Sequence, residues 1–172
     1  MQTQGDRLTT INPTLWEALI MIATQNAQAK SKHPLSRFVT PEAIALLLNL
    51  ETKDIYKIDC WRYVIHVVGK GVSTFVSYAD LPPILGATPP TKRDFVRWRK
   101  RWRKNNKQAP KFWVDFYKQK FKQAASVAQL YAWGKIVGVI KLALSPVNLP
   151  ELRIVYIEVK NSLKLFLKTG AV

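Results

Sequence analysis

The segment from residue 93 to residue 122 reads RDFVRWRKRWRKNNKQAPKFWVDFYKQKFK, and it carries the strongest structural signal in the chain. Together with Lys92 it contains 13 of the 27 lysines and arginines, against only two acidic residues, Asp94 and Asp115. The local charge is therefore +11 out of a net charge of +16. Because so many cations repel one another, the segment predicts a surface that lies against a polyanion.

Nucleic acid is the first candidate for this polyanion. An anionic membrane surface and an acidic protein are the alternatives, and the simplest alternative of all is a helix face that is merely solvated. Over the whole chain 27 cations oppose 11 anions, so ion pairs between side chains cannot neutralise the excess. This imbalance favours a binding surface over a solvated face.

Two helices are predicted in and around the basic segment. Thr91 and Asp94 have the spacing of a capping box, which predicts the start of the first helix. The end of this helix is predicted by Asn105 and Asn106, followed by Pro110. A longer helix is predicted from about residue 110 to residue 133. Its apolar positions recur at helical spacing and predict a buried stripe, formed by Trp113, Tyr117, Phe121, Ala124, Ala128 and Tyr131.

The same periodicity predicts which way the cations point. At 100° per residue, Phe95, Trp98 and Trp102 share one face of the first helix and are expected in the core. Successive cations on the opposite face rise by about 4.5 to 6 Å along the axis, a spacing comparable with that of phosphates along a strand. This predicted ladder consists of Arg93, Arg97, Lys100 and Lys104.

Further cations flank the ladder or continue it onto the second helix, where Asp115 takes the place of one rung. Cations that contact phosphates position a nucleic acid without reading its bases, so binding is predicted to be independent of sequence. The complete candidate site consists of Arg93, Arg97, Arg99, Lys100, Arg101, Arg103, Lys104, Lys107, Lys111, Lys118 and Lys122.

The remainder of the chain also reads as mostly helical. Thr14 and Glu17 predict a helix that runs to about residue 28, residues 29–38 read as a loop, and Thr40 with Pro41 predicts a second helix start. Residues 52–80 are ambiguous, because β-branched and aromatic residues suit strands while the apolar spacing also fits a helix. We favour a helix that ends at 69–71, followed by a helical turn at 73–79.

Residues 81–90 hold four prolines and a glycine, which predicts a connector. A final helix is predicted over about 150–168, with Leu152, Val155, Val159, Leu163 and Phe166 buried. The expected fold is therefore all-α, a compact bundle of about five to seven helices. It forms a single domain, 1–172, in which a helical part at 1–80 and a basic helical part at 91–172 are joined by the connector.

Several classes of function are disfavoured by what the chain contains. The single cysteine, Cys60, cannot form an intrachain disulfide and is expected to be a buried small apolar residue. The start of the chain lacks the pattern of a signal peptide, and the longest apolar run, 136–144, is too short to span a bilayer. We therefore expect a cytoplasmic protein that does not bind a membrane.

The sequence does not predict an active site. His33 and His66 lie outside metal-binding motifs, and the carboxylates are scattered rather than clustered for acid–base or two-metal chemistry. We expect no enzyme activity, no metal and no cofactor. The open alternative is a weak nuclease or enzyme accessory, which would depend on Asp94 or Asp115.

In size, helical pattern and charge the chain resembles the small subunits of the multi-subunit CRISPR effector complexes called Cascade, most closely the type I-D version. That small subunit corresponds to the C-terminal helical part of the large subunit. The resemblance spans the whole chain, and no short motif carries it. The β-branched region at 60–76 departs from an all-helical small subunit.

The resemblance implies antiviral defence, with several copies stacked beside guide RNA and target DNA and helping to hold the displaced strand. The implied partners are those nucleic acids, other subunits of the effector complex and further copies of the chain. The alternative hypothesis is a basic DNA-binding regulator or chromosome-associated protein that acts alone.

Overall fold

The computed structural model describes residues 32–169, and the side chains of 32–167. This part of the chain contains five α-helices and one three-stranded antiparallel sheet, so the predicted all-α fold is wrong and the fold is mixed. The helices are α1 (Pro41–Leu48), α2 (Lys92–Arg101), α3 (Phe112–Lys122), α4 (Val127–Ile140) and α5 (Leu149–Thr169). The strands are β1 (Ile55–Cys60), β2 (Ile65–Gly69) and β3 (Val72–Val76).

The sheet occupies the region that the sequence leaves ambiguous. Burial along β2 alternates, with Ile65 and Val67 in the core, and this period of two belongs to a strand that is covered on one face. Only residues 70 and 71 separate β2 from β3, and Gly71 adopts φ 70°, which a glycine tolerates without strain. The helix favoured up to residue 69 and the helical turn at 73–79 are therefore wrong, apart from a short 3-10 turn at Tyr78–Asp80.

The correction also applies to Cys60. This residue ends β1, which is an edge strand of the sheet, and it is exposed rather than buried. The strands follow one another in the order β1-β2-β3, so each pairs with its neighbour in sequence. Short hairpins of this kind bring β-branched residues together with little loop-closure cost.

The predicted start of α1 is confirmed. The Thr40 side chain accepts a hydrogen bond from the Ala43 amide at 3.2 Å, and Pro41 occupies the first turn. Asn49 ends the helix in the left-handed conformation, with φ 54°. The helix predicted from residue 14 to about residue 28 lies outside the described residues.

The single long helix predicted over 110–133 is wrong, because the chain breaks between α3 and α4. Ser126 caps α4 by accepting from the Gln129 amide at 3.1 Å, while the Gln129 side chain accepts from the Ala125 amide at 2.8 Å. This reciprocal cap favours a new helix start over continuation. As a consequence the predicted stripe holds only as far as Ala124, since Ala128 and Tyr131 are exposed.

Three tryptophans form the centre of the core, which confirms that the aromatic side of α2 faces inward. Trp113 of α3 lies edge-on against Trp98 and Trp102, with ring centroids 5.3 and 5.0 Å away. Its indole nitrogen donates to the backbone carbonyl of Asp80 at 2.8 Å. The cluster therefore joins α2, α3 and the segment that follows the sheet.

The predicted connector at 81–90 is packed into the core at its start. Leu81 is fully buried, and Pro82 and Pro83 are buried beside it. The Tyr117 hydroxyl donates to the Pro83 carbonyl at 2.8 Å, and burial raises the pKa of this phenol well above its ordinary value. A neutral, hydrogen-bonded tyrosine therefore ties the connector to α3.

The last helix, predicted over about 150–168, is confirmed as α5 and packs on α3 and α4. Leu152 is buried as predicted, whereas Phe166 is exposed. Gly134 of α4 lets α5 approach closely, because a Cβ built at this glycine would lie 2.9 Å from Cε2 of Tyr156. Within residues 32–169, no helix has both the length and the apolar composition required to cross a bilayer.

Candidate nucleic-acid interface

The start of α2 is held by the predicted capping box. The Asp94 carboxylate accepts from the amide and the hydroxyl of Thr91, both at 2.8 Å, and the Thr91 hydroxyl accepts from the Asp94 amide at 3.3 Å. The cap satisfies amides that the first helical turn leaves without partners. It therefore fixes the direction in which the basic helix leaves the connector.

Asp94 is also the centre of a nearly buried ion-pair network. Its side chain is 2% exposed and accepts from Arg37 at 2.6 Å and from Arg97 at 3.2 Å. Burial by itself would raise the pKa of Asp94, but the hydrogen bonds from Arg37 and Thr91 outweigh it, and the pKa lies below its ordinary value. Arg97 is thus committed partly to a carboxylate of its own helix.

Two further residues of the candidate site pair with carboxylates. Arg101 donates to both oxygens of Asp80, at 3.0 and 3.1 Å, and these hydrogen bonds raise its pKa. Lys118 lies 2.7 Å from Glu151 and 2.9 Å from Asp115, and the pairing with Glu151 is the main cause of its raised pKa. These pairs brace α2 against the 3-10 turn at Tyr78–Asp80, and α3 against α5.

Nine of the eleven candidate residues are exposed, and eight of these nine form no ion pair with any carboxylate within the described residues. We call this set the free cations. On α2 and its 3-10 extension they lie away from the buried Trp98 and Trp102, as the helical geometry predicts. The free cations are Arg93, Arg99, Lys100, Arg103, Lys104, Lys107, Lys111 and Lys122.

The turn between α2 and α3 carries one of the free cations, Lys107. The Lys107 amide donates to the Trp102 carbonyl at 3.0 Å, a bond that closes a helix end of the Schellman type. Asn106 and Lys107 both adopt positive φ, at 49° and 59°. Helix α2 with its 3-10 extension therefore ends at the predicted asparagines, and Lys107 sits in the turn between the two basic helices.

Arg37 is a site-organising residue that the sequence reasoning missed. Its guanidinium bonds Asp94 and the Thr88 carbonyl, 57 and 51 residues further along the chain. The segment around Arg37 reads as a polar loop, and no local pattern indicates a partner so distant. An isolated arginine within a segment of 3-10 helix, Pro34–Phe38, is the only local trace of this role.

The two carboxylates of the nuclease alternative are both engaged in the structure. Asp94 is buried in the network described above, and Asp115 pairs with Lys118. Within residues 32–169, no three side chains of histidine, cysteine, aspartate or glutamate gather where they could hold a metal ion. The described residues therefore contain no set of side chains that could serve as ligands for a metal-dependent nuclease.

A comparison of this chain with known protein families, curated proteins and solved structures found no match.

Proposed function

We propose that the protein binds nucleic acid by its phosphate backbone, without reading base sequence, through the free cations of α2, its 3-10 extension, the following turn and α3. The observation that carries this proposal is the separation of roles around α2. Tryptophans on one side are committed to the core, while most cations on the other side have no carboxylate partner among the described residues. Exposed cations in such a row lower their mutual repulsion when phosphates lie beside them.

The ion pairs divide the candidate cations into two kinds: those already paired with a carboxylate, which have a structural role, and those that are free to contact a phosphate. Arg101 and Lys118 already have carboxylate partners, so a phosphate would have to compete for them. Lys100 and Lys104 have no such competitor in the described part of the chain and lie on the ladder face of α2 and its extension. We assign the largest share of backbone contacts to cations of this second kind.

The experiment compares the two kinds of cation. Binding of two labelled duplexes of unrelated sequence is measured by fluorescence anisotropy over about 50 to 300 mM salt. The variant K100Q/K104Q should weaken binding to both duplexes alike and reduce the slope of log K against log salt by roughly 0.9 for each phosphate that is no longer neutralised. The matched control K118Q removes a paired cation and should change the slope much less.

Two outcomes contradict the proposal. A slope that is unchanged in K100Q/K104Q would mean that these cations do not contact phosphates. A loss of affinity confined to one of the two duplexes would instead indicate sequence recognition, as the alternative of a stand-alone regulator requires.

We further propose that the protein acts as a non-enzymatic cytoplasmic subunit of a larger nucleoprotein complex, for which the CRISPR small subunits are the nearest precedent. The sheet removes the all-helical part of that resemblance, so size, charge and exposed apolar surface are the remaining support. Val139, Leu142 and Val147 are 53%, 82% and 83% exposed around the turn that joins α4 to α5. Contiguous exposed apolar groups mark protein interfaces, and the closeness of these three residues in sequence is what supports such an interface here.

The proposal that the protein is a subunit of a larger complex is tested by purifying the tagged chain from its native host. Guide RNA and sister subunits should copurify, and the variant L142S/V147S should lose the protein partners while its duplex affinity stays unchanged. Purification of the chain without RNA and without other subunits would contradict the proposal of a complex. A footprint on one preferred duplex would favour a stand-alone regulator.

A further inference from the structure

The sheet has an outer face whose composition is unusual for a surface. Because Ile65 and Val67 point into the core, alternation places His66 and Val68 on the opposite side of β2. The register pairs His66 with Phe75 of β3 and with Asp59 of β1. The outer face therefore carries Lys57, Asp59, His66, Val68, Ser73 and Phe75.

Three rings meet on this face, and we call them the aromatic cluster: Trp61, His66 and Phe75. Their ring centroids lie 5.1 to 5.6 Å from one another. Trp61 is 51% exposed and Phe75 is 57% exposed, so two of the three rings keep about half of their surface in water. Cross-strand packing explains why the rings touch, but it does not explain why such large rings stay open to solvent.

The cluster is held in place from several sides. The Tyr78 hydroxyl donates to the Trp61 carbonyl at 2.6 Å, and the Trp61 amide donates to the Val64 carbonyl at 2.9 Å. Nε2 of His66 lies 3.1 Å from the Ser73 hydroxyl. These bonds fix the backbone of Trp61 and the ring of His66, and the three rings contact one another, so part of the ordering that binding requires is already present.

The order Asp59, His66, Ser73 resembles that of a nucleophilic triad, and the distances argue against that interpretation. Nδ1 of His66 lies 3.7 Å from the Asp59 carboxylate, beyond hydrogen-bonding distance. The same carboxylate is paired with Lys57 at 2.9 Å. Ser73 also stands on an open sheet face rather than in a cleft. The polar groups hold the His66 ring and do not activate the serine.

The charges around the cluster suit a polyanion. Lys57 neutralises Asp59, and Arg62 follows Trp61 directly, with its guanidinium 5.1 Å from the ring of the exposed Tyr63. Val68 is the only aliphatic residue on the outer face of the three strands, so this face lacks the contiguous aliphatic area that a protein partner buries.

We propose that the aromatic cluster binds unpaired bases of a single-stranded nucleic acid by stacking. Bases within a duplex already stack on one another, whereas the bases of a single strand offer free faces to exposed rings. Stacking tolerates any base, which agrees with sequence-independent binding. The site is a different surface from the free cations, so it can fail while backbone binding holds.

The test uses three labelled probes: a thymine oligonucleotide of about 12 nucleotides, an abasic strand of the same length, and a duplex. The variant W61L/F75L removes both exposed π faces and keeps apolar cover on the sheet. It should bind the thymine strand roughly 5- to 100-fold more weakly. Its affinity for the abasic strand and for the duplex should stay within about twofold of the wild type, because the phosphate contacts are unchanged.

Two further variants serve as controls. W61F keeps a ring at the site and should retain much more of the affinity for the thymine strand than W61L/F75L does. Y131L removes a ring on α4 that is 44% exposed and lies away from the sheet in sequence, and it should bind all three probes as the wild type does. Circular dichroism of every variant establishes that the fold is intact.

Each outcome decides the inference. Equal affinity of W61L/F75L and wild type for the thymine strand overturns it, as does equal weakening of all three probes. A wild type that binds the duplex but neither single strand also overturns it and leaves the proposed backbone binding standing. A wild type that binds none of the probes overturns both proposals.

Discussion

At the residue scale, the most consequential side chain of the basic helix is its buried acid. Asp94 caps α2, accepts from Arg37 and holds Arg97, and it is the one buried charged side chain among the described residues. An ionised group in such a position stabilises the fold only while its partners remain, because the cost of removing it from water is fixed. The direction of the basic helix therefore depends on the ion pair between Arg37 and Asp94, which are far apart in the sequence.

We predict that D94N destabilises the fold by about 2 to 4 kcal/mol at pH 7, since it leaves the Arg37 charge without its partner and weakens the cap. D115N is the matched control. Asp115 also pairs with a cation, but its side chain is 43% exposed, so the expected loss is below about 1 kcal/mol. Denaturant unfolding of both variants measures the difference, and equal losses would contradict the role of Asp94.

The same carboxylate predicts a dependence on pH. Because folding lowers the pKa of Asp94, its contribution to stability is present above the unfolded pKa of about 4 and is lost as the pH falls through the folded pKa. The difference in unfolding free energy between wild type and D94N should therefore shrink as the pH decreases from 6 toward 3. Urea titrations across this range test it, and a constant difference would contradict it.

At the element scale, two glycines of α4 differ in whether the structure has room for a side chain at their position. Gly134 faces α5, where a Cβ would meet the Tyr156 ring, while nothing lies within 4 Å of a Cβ at Gly138. Glycine lowers the stability of a helix interior at both positions. Only at Gly134 does close packing compensate for this loss.

We predict that G138A raises the free energy of unfolding by about 0.5 to 1 kcal/mol, because alanine is the better helix former. G134A should be less stable than G138A by about 1 to 2 kcal/mol, since the added methyl group displaces the Tyr156 ring. Thermal and urea unfolding of the two variants provide the comparison. Equal stability of the pair would show that α4 and α5 do not approach each other at Gly134.

At the scale of the whole molecule, residues 33–169 fall into one compact unit although the sequence suggests two parts. The connector is the reason. Trp113 bonds the Asp80 carbonyl just after the sheet, and Tyr117 bonds the Pro83 carbonyl, so α3 is attached to the segment that leaves the sheet. The helices that carry the free cations are thereby attached to the core that the connector joins.

We predict that W113A destabilises the protein by about 3 to 5 kcal/mol, because the indole is fully buried among other rings. W61A removes a half-exposed tryptophan and should cost about 1 kcal/mol or less.

Wild-type unfolding followed by far-UV circular dichroism and by tryptophan fluorescence should give one coincident transition. Separate transitions would show that the sheet and the helices unfold independently.

The sequence by itself determined the features that depend on neighbouring residues. The caps at Thr40 and Thr91, the end of the basic helix near its asparagines, and the inward side of Trp98 and Trp102 all follow from local hydrogen bonds and helical periodicity. The exposure of most of the predicted cations follows from the same geometry, although Arg97 and Lys118 are half-buried and paired with carboxylates. These predictions held because a few residues within one or two turns suffice to specify them.

Only the tertiary structure decided the remainder. Residues 55–76 fit both periodicities, and they form strands because pairing between β1, β2 and β3 buries one face against the core, an energy that no local window contains. The reciprocal cap of Ser126 and Gln129 starts a new helix where apolar spacing alone would continue the first one. The bonds from Arg37 to Asp94 and from Arg101 to Asp80 join residues far apart in sequence, and they determine which cations remain available to a ligand.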